Sequence, residues 1–373
     1  MNQTGSIDVI LIYNLLNFLF TAVGMFVSAA VVHRFNSGIV SVLGIICYNL
    51  LYLQLILLND KSADFVVLLG ITSGLAGSFY WISYSQRLTE YTDLSNRDTG
   101  MAIINIVFSV VNAIAPLLAG IIISSVGGFK GYETVFGIAF VVAIITAIGA
   151  IRLPQPKSER VHVMHGKAVK MLFKSKVILF SAISEFFKGI REGAFAFILS
   201  ILLYRLIKNE ALVGFNNLLS SIATTASFIF MSRRIRGENR IKYMKTAVFW
   251  LLGSSILCTA FLNPFMLIVF TIISSFFSGF IVSSSFSTFL DAIQILPEIK
   301  NMRPEYFAIK EVFLAAGRCL GIMIIMIIDK LSTGSLIWMS FSLVILTATQ
   351  FGTVVFCRKA MEQIKEISTQ RCD

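Results

Sequence analysis

The stretch MAIINIVFSVVNAIAPLLAGIIISSVG, residues 101–127, contains no Asp, Glu, Lys or Arg. A helix needs about 20 consecutive, mostly apolar residues to cross a bilayer, and this stretch is long enough to do so. Further stretches of similar character occur along the chain. They are residues 7–32, 38–58, 65–84, 132–151, 177–204, 211–231, 246–261, 263–286, 304–328 and 335–356. The sequence therefore predicts an all-α polytopic membrane protein with about 11 transmembrane helices.

The overall composition agrees with this prediction. The chain has 373 residues, of which 56% are hydrophobic and 14% are charged. Soluble domains carry about 25% charged residues, so a soluble protein of this length could not hide so much apolar surface. The loops are short and contain no nucleotide-binding Gly-rich motif. Because a membrane enzyme needs positioned acid–base groups and a larger extramembrane part, we expect neither an enzyme nor an ATP-driven pump.

The cysteines and histidines give no sign of a metal site. The chain has five cysteines, which form no CxxC pair, and three histidines, which lie at or between the predicted spans. Cysteines inside apolar stretches behave as small hydrophobic residues. We therefore expect no metal ion and no cofactor.

The basic residues are distributed unevenly along the chain. The 31 Lys and Arg residues outnumber the 20 Asp and Glu residues, which gives a net charge of +11. A nucleic-acid partner would suit such a charge, but the placement of the basic residues gives a better explanation. If the first span runs from outside to inside, most of them fall on the inner side, as cytoplasmic loops require. We therefore predict a multi-pass protein of the cell (plasma) membrane, with the lipid bilayer as its partner. Its C-terminus is predicted in the cytoplasm, and the N-terminus of this version outside.

The longest hydrophilic segment divides the chain into two parts. Residues 153–176 are predicted to form a cytoplasmic central loop between an N-terminal bundle of five helices, residues 1–152, and a C-terminal bundle of six, residues 177–357. A cytoplasmic tail, residues 358–373, follows the second bundle.

An internal repeat supports two equivalent bundles. The motif IYNLLN at residues 12–17 resembles FNNLLS at residues 215–220. In a second match, Arg97, Asn105 and Asn112 correspond to Arg303, Glu311 and Arg318, each 206 residues later. Parallel repeats of this kind are typical of transporters.

The repeat also assigns span 177–204 a partner that would begin before Met1. We therefore expect the full fold to have twelve helices, of which this version lacks the first through truncation or a late start site. A genuine eleven-helix protein is the alternative.

Two spans carry charged residues, which are costly against lipid and therefore indicate an interior pathway. The residues are Glu185, Lys188, Arg191 and Glu192 in one span and Lys310, Glu311 and Arg318 in the other. With 3.6 residues per turn, each set occupies one arc of its helix. We predict that they line a pathway for a substrate and protons.

Two interpretations of these residues remain open. In the functional one, an arginine, Arg191 or Arg318, binds an anionic solute. A carboxylate then takes up and releases a proton, the candidates being Glu185, Glu192 and Glu311. A nearby cation changes the proton affinity of a buried carboxylate, so movement of the cation could couple the two events. In the structural interpretation, the same residues form ion pairs that hold one conformation.

Tyr80, Trp81 and Tyr84 cluster among glycines and serines in span 65–84. Small residues let helices pack closely, which is the simpler explanation of this span. Solute pockets favour aromatic walls with a few polar groups. The three aromatic residues are therefore a candidate pocket wall.

Three motifs carry a resemblance to a known family. They are GSFYW at residues 77–81, REGAF at residues 191–195, and RPEY at residues 303–306 followed by Lys310-Glu311. Together they resemble the major facilitator superfamily, and within it a little-characterised branch from Gram-positive bacteria. The resemblance extends over essentially the whole chain. It implies two bundles around a central cavity and secondary active transport of an unknown small solute by alternating access, with the proton as a candidate coupling ion.

The resemblance places Arg191 and Glu192 on a helix that lines the cavity in this family. Asn36 stands where the family usually has an acidic residue, and APLLAG at residues 115–120 matches its antiporter motif only in part. A non-transporting membrane protein, either a sensor or an inactive relative, is therefore the alternative function.

Overall fold

The computed structural model describes residues 7–152, 164–207, 210–296, 302–331 and 335–370. Within these ranges the chain is mostly helical and contains no strand. The helices are α1 (Ile7–Arg34), α2 (Ser37–Leu58), α3 (Val66–Tyr91), α4 (Arg97–Val126), α5 (Gly128–Arg152), α6 (His165–Lys174), α7 (Lys176–Ile207), α8 (Glu210–Arg234), α9 (Arg240–Ala260), α10 (Pro264–Ile295), α11 (Arg303–Leu331), α12 (Leu336–Ala348) and α13 (Gln350–Thr369). A 3₁₀ helix, Asn59–Lys61, follows α2. The prediction of an all-α polytopic fold is confirmed.

Within the described ranges, eight helical segments are long and apolar enough to cross a membrane. They are Val9–Arg34, Ser37–Leu58, Val66–Tyr91, Arg97–Val126, Gly128–Arg152, Pro264–Ile295, Arg303–Ile328 and Leu336–Thr369. The last of them joins α12 and α13. The three remaining predicted spans correspond to α7, α8 and α9, and charged residues lower the hydropathy of α7 and α9.

Several helices extend beyond the predicted spans at their polar ends. α10 continues to Ile295, whereas the predicted span ends at residue 286. Hydropathy marks only the part of a helix that suits apolar lipid, while backbone hydrogen bonding continues through polar residues such as Asp291. The predicted tail is likewise largely helical, because α13 continues to Thr369.

Part of the predicted central loop is also a helix. Residues 153–163 lie outside the described residues, but α6 forms a 10-residue helix after them. Ala168 and Leu172, four residues apart, are buried, whereas Lys167 and Lys170 are exposed. This pattern is typical of a helix that packs one narrow apolar stripe against the protein and leaves its other face exposed.

Asn36 begins α2. Its Oδ1 accepts a hydrogen bond from the backbone N–H of Ile39 at 2.9 Å. Asn is among the favoured residues at this position because its oxygen satisfies a backbone donor that has no partner within the helix. The residue that departs from the family's acidic pattern thus has a local role. Asn263 caps α10 in the same way, with a distance of 2.9 Å to the backbone nitrogen of Met266.

The helices pack in two units. The first contains residues 1–91, 115–171 and 297–315, and the second contains residues 92–114, 172–296 and 316–373. In the first unit, α3 packs against α1 and α2, and α2 also packs against α5. In the second unit, α10 packs against α7, α8 and α9, and α7 also packs against α13. The sequence-based bundle boundaries stay a prediction.

α7 and α11 approach closely at a Gly-x-x-x-Gly motif. A Cβ atom on Gly317 would collide with the carbonyl oxygen of Phe186, and one on Gly321 with the carbonyl oxygen of Ile190. Small residues four apart lie on one helix face and let two membrane helices come together. The two glycines therefore make the close crossing sterically possible.

We expect Gly317→Ala to push α11 away from α7, because the backbone of α7 cannot yield as a flexible side chain would. Overpacking of this kind costs about 1–3 kcal/mol, so the midpoint of thermal unfolding in detergent should fall clearly. Gly253→Ala is the matched control, since nothing lies within 4 Å of its Cβ position, and its midpoint should not fall. Equal midpoints for both variants would contradict the close crossing.

Candidate functional site

The charged residues of α7 lie on one side of the helix and are mostly buried. The exposed fractions of Glu185, Lys188 and Arg191 are 0%, 4% and 6%, and Glu192 is half-buried. Their spacing of three to four residues places them on one side of the helix. The structure brings all four together in the second unit, against residues of α10 and α11.

Glu185 and Lys188 form a buried ion pair. The Nζ atom of Lys188 lies 2.5 Å from Oε2 of Glu185, and the hydroxyl of Ser285 on α10 donates to Oε1 at 2.6 Å. Removing either partner would leave an uncompensated buried charge, which is strongly destabilising. The pair therefore has the geometry that a structural role requires.

Glu192 and Arg318 form a second pair, which connects α7 to α11. The distance from Nη2 of Arg318 to Oε2 of Glu192 is 3.0 Å, and the two side chains are 22% and 23% exposed. Of the two arginines that the sequence offers as anion ligands, Arg318 is thus already bound to a carboxylate.

Arg191 contacts a hydroxyl group and an aromatic ring, but no carboxylate within ion-pair distance among the described residues. Its Nη2 donates to the hydroxyl of Ser274 on α10 at 2.5 Å, and its guanidinium carbon lies 4.0 Å from the ring centroid of Phe195. Its Nε is buried and has no hydrogen-bond partner among the described residues. None of the ion pairs formed within the described ranges includes Arg191. Burial of a cation with an unused donor is costly.

The group as a whole has an excess of positive charge. Lys188 and Arg318 are balanced by Glu185 and Glu192, whereas Arg191 has no such balance within the group. When all five residues are ionised, the three cations exceed the two carboxylates by one charge. An anion with a single charge would complete the balance.

Lys310 and Glu311 lie on the part of α11 that belongs to the first unit. Both are buried, and Nζ of Lys310 is 3.7 Å from Oε2 of Glu311. This distance is an ion-pair contact without a direct hydrogen bond. The structure thus places these two predicted residues in one unit, and Arg318 in the other unit with the α7 residues.

Tyr80, Trp81 and Tyr84 form an edge-to-face series on α3. The ring centroids of Tyr80 and Trp81 are 5.3 Å apart, and those of Trp81 and Tyr84 are 5.5 Å apart. A separate cavity of about 790 Å³ lies in the first unit and is lined mainly by apolar side chains, but none of these three residues borders it. Their role as a pocket wall stays a prediction.

Sequence reasoning missed a buried charge network at the first turn of α4. Asp291 on α10 pairs with Arg97 and also with Nη1 of Arg240, which lies 2.8 Å from its Oδ2. The Nη2 atom of Arg240 lies 2.9 Å from Oδ2 of Asp98. From the sequence, Arg97 is a matched position of the repeat and Arg240 is one of the basic residues assigned to the inner side, so neither is predicted to form a buried ion pair. The available signal was Asp291, an acidic residue that directly follows a long apolar stretch.

The turn before α4 holds Arg97 in place. Nη2 of Arg97 donates to the carbonyl oxygen of Thr92 at 3.2 Å.

In the same turn, hydrogen bonds from the side chain and backbone of Ser95, and from the backbone of Asn96, lower the pKa of Asp93. Asp93 is therefore ionised at neutral pH and continues to accept these hydrogen bonds.

We expect Glu185→Gln alone and Lys188→Met alone to lower the midpoint of thermal unfolding strongly, because each leaves one buried charge without its partner. Loss of one member of a buried pair costs about 3–5 kcal/mol. The double variant leaves neither charge and should regain most of the stability. A double-mutant cycle measures this coupling, and additive losses would show that the two residues do not depend on each other.

Comparison with known proteins places the chain in a family. Residues 2–322 match the family model of the Major Facilitator Superfamily. The chain is 23% identical over 340 residues to the uncharacterized protein YqgE of Bacillus subtilis (strain 168). The alignment covers 88% of this chain and 76% of that relative. It is 28% identical over 134 residues to an uncharacterized protein in the sodM 3'region of Geobacillus stearothermophilus, covering 36% of this chain and 63% of that one.

Two solved structures share the fold. The human organic anion transporter MFSD10 (TETRAN) superposes with a TM-score of 0.72 at 14% identity, covering 92% of this chain and 83% of that one. The E. coli fucose:proton symporter FucP superposes with a TM-score of 0.69 at 10% identity, covering 95% of this chain and 98% of that one. The resemblance inferred from the sequence motifs is confirmed. The chain belongs to the major facilitator superfamily and is a multi-pass membrane transporter, not an enzyme.

Proposed function

We propose that this transporter carries a small solute with a single negative charge by secondary active transport and alternating access, and that Arg191 binds the solute. The observation that carries the proposal is the state of Arg191, a buried cation that forms no ion pair among the described residues and has a buried Nε without a hydrogen-bond partner there. The alternative arginine, Arg318, is paired with Glu192 at 3.0 Å. An anion bound at Arg191 would supply the missing charge and accept the unused Nε–H.

The surroundings of Arg191 favour an organic anion. One side of the guanidinium faces the ring of Phe195 at 4.0 Å, and Phe195 in turn packs near Phe270, with ring centroids 6.1 Å apart. Ser274 supplies a polar oxygen at 2.5 Å. Solute sites commonly combine apolar walls with a few polar groups that fix orientation. A carboxylate on a small apolar body suits both features.

A proton is the coupling ion that we propose. Glu192 is half-buried and adjacent in sequence to Arg191, and Arg318 is its counter-ion. Movement of Arg318 away from Glu192 would change the proton affinity of that carboxylate. Glu185 and Glu311 are the other candidates, but Glu185 is fully buried with both oxygens engaged, which favours Glu192.

The names of two proteins with the same fold agree with these proposals. One is an organic anion transporter and the other a fucose:proton symporter. Each name describes that protein, and the likeness to this chain is one of fold. They support an organic anion and a proton as reasonable candidates for this transporter.

Arg191→Gln should strongly lower the apparent affinity of solute uptake by the purified protein in proteoliposomes, tested with a panel of organic monocarboxylates. Loss of a charge-assisted hydrogen bond costs about 1.5–3 kcal/mol, which corresponds to a loss of roughly tenfold or more in apparent affinity. Arg191→Lys keeps the charge but not the planar, paired donors, and should give an intermediate affinity.

Arg358→Gln is the matched control, because Arg358 is 58% exposed and pairs with Glu362 on the same helix. It should transport normally. Unchanged uptake by Arg191→Gln would leave Arg191 with a structural role only. If the unaltered protein moves no member of the panel while imposed pH gradients are varied, the alternative of a non-transporting sensor or inactive relative gains support.

We propose that the chain resides in the plasma membrane with α13 and the C-terminus in the cytoplasm. The excess of Lys and Arg on one side of the predicted spans supports this orientation. Green fluorescent protein attached to the C-terminus in bacteria should fluoresce, because it folds in the cytoplasm, whereas alkaline phosphatase attached there should be inactive. The opposite pair of results would reverse the orientation.

A further inference from the structure

The cavity of about 790 Å³ lies within the first unit. Its walls come from the start of α1, the end of α2, the start of α3 and the turn from α4 to α5. The predicted topology places these helix ends on the outer side of the membrane. Small-molecule sites have volumes of about 300–1,000 Å³, so the cavity is large enough for a ligand of ordinary size.

The turn from α4 to α5 forms one wall of the cavity, and glycines determine its shape. The dipeptide Gly127-Gly128 has φ angles of 78° and 55°, which glycine adopts without steric cost. A Cβ atom on Gly131 would lie 2.8 Å from the Cα of Ile123, so α5 begins in close contact with α4. Further along α5, the ring of Phe136 stacks on that of Tyr52 on α2, with centroids 6.5 Å apart. Contacts within the protein therefore hold the walls in place.

The lining of the cavity combines apolar and aromatic side chains with one carboxylate. Most of the lining residues are aliphatic or aromatic, and the aromatic ones are Tyr13, Phe129, Tyr132 and Phe136. Among the lining residues that the structure describes, Glu133 is the one with an acidic or basic side chain. The cavity thus presents a single carboxylate in largely apolar surroundings.

The carboxylate of Glu133 has little compensation from the protein. Glu133 lies in the second turn of α5 and is half-buried. Nδ2 of Asn59, directly after α2, donates to its Oε1 at 3.3 Å, slightly longer than a usual hydrogen bond. None of the ion pairs formed within the described ranges includes Glu133. An ionisable residue inside a membrane-spanning segment is costly and usually has a functional use.

We propose that this cavity binds a hydrophobic organic cation, with Glu133 as its counter-charge. The cation supplies the positive charge that Glu133 lacks. The faces of aromatic rings attract cations, so Phe129 and Phe136 favour the same sign of charge. The aliphatic walls suit an apolar body around the charged centre. An anion would meet a like charge at close range. The site therefore differs in charge preference from Arg191, which lies in the second unit.

The structural alternative is that Glu133 only accepts the hydrogen bond from Asn59 and so joins α2 to α5. Asn59 has a φ of 45°, a conformation that most side chains avoid and asparagine tolerates. A substitution of Asn59 would therefore disturb the backbone as well as the hydrogen bond. Glu133→Gln is the more informative variant, because it keeps an oxygen that accepts from Asn59 and removes the charge.

Tetraphenylphosphonium and tetraphenylborate are the matched probes, since they are nearly equal in size and shape and opposite in charge. Saturable binding of each radiolabelled ion to the purified protein in detergent is measured by equilibrium dialysis. The unaltered protein should bind the cation saturably. Glu133→Gln should weaken this binding by about tenfold, which corresponds to about 1.4 kcal/mol. Glu133→Gln should leave any binding of tetraphenylborate unchanged, because that ion gains nothing from the carboxylate.

Asp64→Asn is the matched control, because Asp64 is exposed near the same helix ends and does not line the cavity. It should bind the cation as the unaltered protein does. The proposal is overturned if the unaltered protein shows no saturable binding of the cation, or if Glu133→Gln binds it equally well. An equal loss in Asp64→Asn would also overturn it, since the effect would then be one of general surface charge.

Should Glu133→Gln fail to fold, the unaltered protein decides the question. A hydrophobic carbodiimide modifies carboxyl groups in apolar surroundings, and mass spectrometry measures the modified fraction of Glu133. Tetraphenylphosphonium should slow this modification and tetraphenylborate should not, whereas equal rates with and without the cation would refute the site. The readout is binding in the first unit, so a failure here is distinct from a failure of anion transport through Arg191.

Discussion

A charge that leaves water needs a partner of opposite charge or a set of hydrogen bonds, and this constraint organises the polar parts of the molecule. Lys188 pairs with Glu185, and Asp291 pairs with two arginines. Apolar side chains can face lipid or one another at similar energy, so hydrophobicity alone specifies helix contacts loosely. The buried pairs between helices add specific contacts, because an alternative arrangement would leave charges unpaired.

The crossing of α7 and α11 combines this constraint with backbone geometry. Gly317 and Gly321 place no side chain between the two helices, so the backbones approach closely. Arg318 is the next residue after Gly317, and at this short separation its guanidinium reaches Glu192 at 3.0 Å. The steric and electrostatic requirements thus act on the same turn of α11. They also place Arg318 in an ion pair, which leaves Arg191 as the cation of this group that forms no ion pair among the described residues.

Hydropathy predicted the long helices because a membrane-spanning segment is a local property of the sequence. The pair of Glu185 and Lys188 was also predictable, since residues three apart meet on one helix face. The network around Arg240 was not, because its nearest carboxylates come from Asp98 and Asp291 on other helices. No periodicity within a single helix relates such residues. The residues offered both Arg191 and Arg318 as anion ligands, and the family resemblance favoured Arg191. The ion pair of Arg318 with Glu192 could not be predicted for the same reason, since it depends on the contact of α7 with α11.

The internal repeat shows how the two halves of the chain use neutral and charged residues at corresponding positions. In register, Asn105 corresponds to Glu311, and Asn112 corresponds to Arg318. Asn105 donates to the hydroxyl of Ser283 at 2.9 Å, a neutral contact between helices that suits a structural role. A position that only supports helix packing can keep a neutral amide in both copies, and it avoids the cost of burying a charge. In the second copy the charges at these positions are offset by ion pairs, Glu311 with Lys310 and Arg318 with Glu192, so a paired charge replaces the neutral amide contact of the first copy.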